Sequence, residues 1–157
     1  LNPTEAVVTA GSLLVLASGT FNPTTYLPAN DGSLVAIDLS TGAAESPVPL
    51  GANGVSMELG ADGFVYVTTT SDYQSLSLLR FDPVAGAFVR GPADPIPVTG
   101  QDGGRVDCWS ATGLSDGRIV CVTFSFAEAG RLVLADHGGG FIDEMPSGFG
   151  STDVASR

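Results

Sequence analysis

With 157 residues, 43% of them apolar and only 15% charged, the chain is long enough to bury a core, and its length suggests one domain. Its 21 glycines and 10 prolines fit a turn-rich all-β protein and exclude a disordered one. A formal charge of −11, with arginine as the only basic residue besides His137, sets the surface against nucleic acid, and the lack of lysine excludes Schiff-base chemistry and a P-loop.

Taken in chain order, the apolar runs predict strands over about 5–10, 12–18, 33–38 and 43–50, then 54–59, 63–70, 75–82 and 87–91, then 105–112, 117–124, 130–136 and 140–145. No helical period of useful length appears, and no apolar run reaches the roughly 20 residues of a membrane span. The strands come in three groups of four because the turns recur. Asp38-Leu-Ser-Thr-Gly42, Asp82-Pro-Val-Ala-Gly86 and Asp136-His-Gly-Gly-Gly140 each follow an apolar run. An aspartate there can bond the amides just ahead of it, and the glycine supplies a positive φ. A second turn precedes each of these, at Gly11, Gly63 and Gly117, and its glycines lie 52 and 54 residues apart. That is the period of a propeller blade.

The second strand of each group is apolar on both faces, as in Leu13-Leu-Val-Leu16 and Ile119-Val-Cys-Val122, so each needs cover from two sides. Cys108 and Cys121 flank the turn at Asp116-Gly117. If their strands pair, the thiols can form a disulfide; two buried thiols remain the other reading. The chain starts at Leu1 with no signal peptide, which reads as a mature, cleaved or trimmed product. The acidic surface suggests a secreted or cell-surface protein, a periplasmic one included.

The segment Asn53-Gly-Val-Ser-Met-Glu-Leu-Gly-Ala-Asp-Gly-Phe-Val-Tyr-Val67 resembles the repeat of NHL-type and gluconolactonase-like propellers, as does Asp107–Val122. The repeat as a whole resembles the YVTN, NHL and PQQ-like groups. The resemblance implies an all-β fold of three four-stranded antiparallel blades, about 5–50, 53–91 and 105–146, with 151–157 opening a further blade. Three blades make half of a ring, so another chain or a second copy is the expected partner. In the gluconolactonase-like family a glutamate, asparagines and an aspartate at the innermost strands hold a divalent cation. The matching positions are Glu5, Asn53, Asp107 and Asp153, an oxygen set suited to Ca²⁺ or Mg²⁺. Here Glu5 lacks the glycine and tryptophan that follow it in the family, and Cys108 follows Asp107.

Two other motifs resemble catalytic ones. His137-Gly-Gly-Gly140 is similar to the oxyanion-hole run of lipases and esterases, and Gly113-Leu-Ser-Asp-Gly117 fits their nucleophile elbow. The order is reversed and no helix follows the elbow, so both read as hairpin turns. The loop Gly19–Asp31 is long, and Phe21, Tyr26, Tyr73 and Phe126 are expected on one rim, where they can stack on sugars, anchor a protein partner or simply cover their own blades. The expected function is a non-catalytic binding or assembly module. The alternative is a metal-dependent hydrolase or lyase of the gluconolactonase-like kind.

Overall fold

The hairpin that follows the third strand of each sheet is closed by an aspartate turn whose chemistry is spelled out in the sequence. The computed structural model describes residues 2–9, 11–124, 129–148 and 154, and among them it contains twelve strands and no helix. Three four-stranded antiparallel sheets result, each a meander in chain order. The first holds β1 (Asn2–Val8), β2 (Ser12–Ser18), β3 (Ser33–Asp38) and β4 (Val48–Pro49). The second holds β5 (Asn53–Leu59), β6 (Val65–Thr70), β7 (Leu76–Asp82) and β8 (Ala87–Arg90). The third holds β9 (Ser110–Gly113), β10 (Ile119–Val122), β11 (Gly130–Ala135) and β12 (Phe141–Gly148).

The aspartate turns work as their chemistry requires. Asp38 accepts from the Ser40 and Thr41 amides at 2.8 Å each, and Asp82 accepts from Val84 and Ala85 at 2.8 and 3.0 Å. Asp136 accepts from Gly138 and Gly140 at 2.8 and 2.9 Å. The third turn is one residue shorter than the pattern suggests. Its left-handed residue is Gly139, at φ 95°, where the first two turns use Gly42 and Gly86.

Two further differences concern boundaries. The fourth strand of the first sheet shrinks to Val48–Pro49, because Pro47 and Pro49 cannot donate to a ladder and tolerate only an edge position. The first strand of the third sheet starts at Ser110 and not near 105. Arg105 and Val106 instead belong to a small turn-back, with Val106 donating to Val98 at 2.9 Å and Ile96 donating to Leu78 at 2.8 Å. Ile96, Val98 and Val106 are buried, filling the space between the second and third sheets.

Strand register separates each sheet into two faces. The forward faces match one another: Glu5, Leu14 and Leu34 in the first sheet correspond to Ser56, Tyr66 and Leu78 in the second, with Ser110, Val120 and Leu132 in the third. The rear faces match as well. The forward face of the first sheet packs on the rear of the second, through Leu14, Leu16 and Leu34 against Val65, Val67 and Leu79. The forward face of the second packs on the rear of the third, through Tyr66 and Leu78 against Ala111, Ile119, Cys121 and Val133. Tyr66 is buried there and donates its hydroxyl to Asp62 at 2.7 Å; burial is the main reason its phenol titrates far above the usual range.

Cys108 and Cys121 form a disulfide with Cα atoms 5.4 Å apart, both side chains buried in this second interface. Cys108 lies two residues ahead of β9 and therefore ties the lead-in segment to the central strand. Closing so short a loop stabilises by about 3 kcal/mol in the chain-entropy picture. The double variant Cys108→Ala/Cys121→Ala should lose about that much in urea unfolding, and an unchanged midpoint would refute the assignment.

The turns also give the fold an acid limb. The Asp38 carboxyl is held down from 3.8 to about 2, first by the Ser40 hydroxyl and then by the Thr41 and Ser40 amides, and the Gly140 and Gly138 amides lower Asp136 in the same direction. A carboxyl lowered on folding contributes stability that is present above its unfolded value and lost as pH falls through its folded value. The melting temperature should therefore fall between about pH 4 and pH 2, and Asp38→Asn should flatten that part of the profile.

Candidate functional site

The first strands of the first two sheets, β1 and β5, each carry a bulge, at Thr4 and Val55, just ahead of the residue that reaches the next sheet. Glu5 of β1 accepts a hydrogen bond through Oε2 from the Met57 amide of β5. Ser56, its counterpart in β5, donates through Oγ to the Trp109 carbonyl at 2.9 Å, the same step taken from the second sheet to the third.

A second level of contacts lies three residues earlier. Asn53, 3% exposed, accepts through Oδ1 from the Gly19 amide at 3.1 Å and donates through Nδ2 to the Tyr73 hydroxyl at 3.3 Å. Asp107, the same distance ahead of Ser110, accepts through Oδ1 from the Leu76 amide at 3.0 Å and pairs with Arg105 at 3.4 Å. Both residues do the same thing: they reach back to the preceding sheet, where its second strand gives way to its third.

Of the four expected cation ligands, Asn53 and Asp107 thus occupy matching positions, whereas Glu5 matches Ser56 and Ser110. The first-sheet counterpart of Asn53 is Asn2, which pairs with Ser18 as Asn53 pairs with Thr70. Glu5, Asn53 and Asp107 each bond a different backbone amide, on β5, after β2 and at the start of β7. Asp153 lies outside the described residues, and among those described no three His, Cys, Asp or Glu side chains gather as a cation cage.

The aromatic residues sit at the same end. Phe21 and Tyr26 lie on the loop between β2 and β3, and Tyr73 on the loop between β6 and β7. Tyr26 is 73% exposed and Tyr73 45%, and both have φ of 58°, a left-handed conformation that non-glycine residues rarely adopt. Side-chain caps hold them there. Asn22 accepts from the Thr24 amide at 2.8 Å, and Tyr26 closes the turn by donating its own amide to the Asn22 carbonyl at 2.8 Å. Thr70 accepts from the Tyr73 amide at 2.8 Å, while Asp72 accepts from Gln74 and Ser75 at 2.8 and 2.7 Å; these amides lower the Asp72 pKa, Ser75 most. Phe126 lies outside the described residues. In the third sheet the half-buried Trp109 instead meets Phe124 at 5.1 Å between ring centres, a pair the sequence reading left out and that two aromatics flanking one strand pair would have signalled.

Two clefts open beside these loops. The larger, about 230 Å³, is lined by Leu50, Thr69, Ser71, Ser77, Pro92 and Arg105 among others. The smaller, about 120 Å³, includes Asn30, Asp31, Asn53 and Ser71. Hydroxyls and amides of the same loops line both clefts, and Asn53 at the smaller one holds the Tyr73 hydroxyl. The two motifs that resemble a hydrolase are elsewhere: Ser115 and His137 are exposed on the β9–β10 and β11–β12 turns. The sequence matches no family model and no curated protein.

Asn53→Ala would leave the Gly19 amide without its acceptor and should destabilise by about 1–3 kcal/mol. Asp107→Asn keeps an oxygen for the Leu76 amide and should cost much less. In urea unfolding, a loss at Asp107→Asn as large as that at Asn53→Ala would show that Asp107 acts through its charge beside Arg105 and not as an acceptor for the Leu76 amide.

Proposed function

We propose that the three sheets are consecutive blades of a β-propeller and that the chain is a non-catalytic binding module whose ligand is a glycan held on the loop rim. The observation that carries this is the pair of exposed tyrosines, Tyr26 and Tyr73, each at φ 58° on the corresponding loop of its sheet. A left-handed non-glycine residue costs about 1–3 kcal/mol, which points to a use for the geometry. A sugar ring suits such a rim, since its C–H face stacks on a tyrosine and its hydroxyls meet Thr69, Ser71 and Ser77 in the adjoining cleft.

Support for the blade arrangement comes from the uniform meander, the 52- and 54-residue period and the twice-repeated face-to-face packing. The buried disulfide favours a secreted or cell-surface setting, where thiols stay oxidised. The alternative, a hydrolase or lyase using Ca²⁺ or Mg²⁺, draws on Glu5, Asn53 and Asp107, whose oxygens are already engaged with backbone amides of neighbouring sheets.

Wild-type protein applied to a glycan array should mark a discrete set of sugars. Tyr26→Ala and Tyr73→Ala should each weaken that binding about tenfold, or 1.4 kcal/mol, with unchanged circular dichroism. A blank array, or variants that bind as wild type does, would remove the glycan reading; binding that both variants lose only with added EDTA would favour the metal-dependent alternative.

A further inference from the structure

The forward face of the third sheet and the rear face of the first have no sheet packed on them within the described chain. On the forward face, Val120, Leu132 and Leu134 frame an open apolar cavity of about 240 Å³ with Met145, which is 58% exposed. These positions match Tyr66, Leu78 and Arg80 of the second sheet, where the third sheet covers Tyr66 and Leu78. On the rear face, Val8, 61% exposed, stands beside Leu13 and Ile37, and Val15 stands beside Val35. These match Leu59, Val65, Val67, Leu79 and Phe81, which the first sheet covers. One chain thus carries both halves of an interface it builds twice internally, each half aliphatic and only partly buried. The carboxylates near the cavity, Asp143 and Glu144, lie on the outermost strand β12, at its margin.

We infer that the forward face of the third sheet docks on the rear face of the first sheet of a second copy of this chain, head to tail. The match of faces rests on strand register alone. Closure of two copies into a ring of six sheets rests in addition on the blade reading, for which four to eight is the usual count. An interface of this kind is heterologous: two different patches meet, so a lesion in one patch leaves the other intact.

That asymmetry supplies the experiment. By light scattering, the wild-type chain should have twice its 15.9 kDa mass. Val15→Glu on the rear face and Leu134→Glu on the forward face should each run as a folded species of 15.9 kDa. An equimolar mixture should return to twice that mass, because it retains one intact rear face facing one intact forward face. Should either glutamate unfold the chain, Val15→Ser and Leu134→Ser carry the same test without a buried charge. A wild-type chain that melts cooperatively at 15.9 kDa, or a mixture of folded variants that stays there, overturns the inference. Larger wild-type polymers that each variant reduces to single chains would keep the interface and remove the six-sheet closure. Glycan binding is read out separately on the same variants, so the two readings fail independently.

Discussion

The structure depends on covering a β-sheet from both sides. All six residues of β6, Val65 to Thr70, are buried, and a strand with no solvent face is stable only between two apolar surfaces. The first and third sheets provide them, and the sequence follows: Val65, Val67 and Leu79 on one face, Tyr66 and Leu78 on the other. Such stacking is non-directional, so it does not by itself fix how one sheet sits on the next. Hydrogen bonds at the first strand of each sheet supply that direction, from the Met57 amide to the Glu5 carboxylate and from the Ser56 hydroxyl to the Trp109 carbonyl. A further main-chain bond at the opposite end, from the Ala61 amide to the Gly113 carbonyl at 2.8 Å, pins the second sheet to the third there.

What was legible in the sequence was local. Aspartate caps and positive-φ glycines depend on two to four consecutive residues, so hairpins and their grouping into sheets could be placed within a few residues. The errors fall where the deciding partner is distant or duplicated. In Asp136-His-Gly-Gly-Gly140 several glycines compete for the left-handed position, and Gly139 takes it. The turn-back at Ile96–Val106 has neither alternation nor length, and exists because its apolar residues fill a gap between sheets.

Glu5 and Asn53 stand at different levels of their strands for a related reason. Counting back from the turn glycines, Asn53 and Asp107 stand ten residues ahead of Gly63 and Gly117, while Asn2 stands nine ahead of Gly11. The first hairpin turn is one residue shorter, since Val8 pairs with Leu13 where Leu59 pairs with Val65. The glycine spacing therefore already aligned Asn2, and not Glu5, with Asn53. An acidic residue near the start of a strand drew attention by its charge, whereas an exposed asparagine before a proline did not. Position along the paired strands, and not residue type, is what aligns Asn2 with Asn53.

Position also explains how the rim is held. Asn53 is buried at the junction of two sheets, and its three-atom amide spans them. Its oxygen holds the amide of Gly19, the first residue of the loop that carries Phe21 and Tyr26, while its nitrogen holds the hydroxyl of Tyr73 on the neighbouring loop. One side chain therefore ties together both aromatic loops of the rim and the sheets beneath them. An aspartate in its place would offer the oxygen and lose the donor, which suffices at Asp107, where the structure asks only for an acceptor. At Asn53 both functions are used. The difference between two residues that each stand three positions ahead of a serine at the sheet junction, asparagine before Ser56 and aspartate before Ser110, follows from whether a tyrosine hydroxyl must also be held.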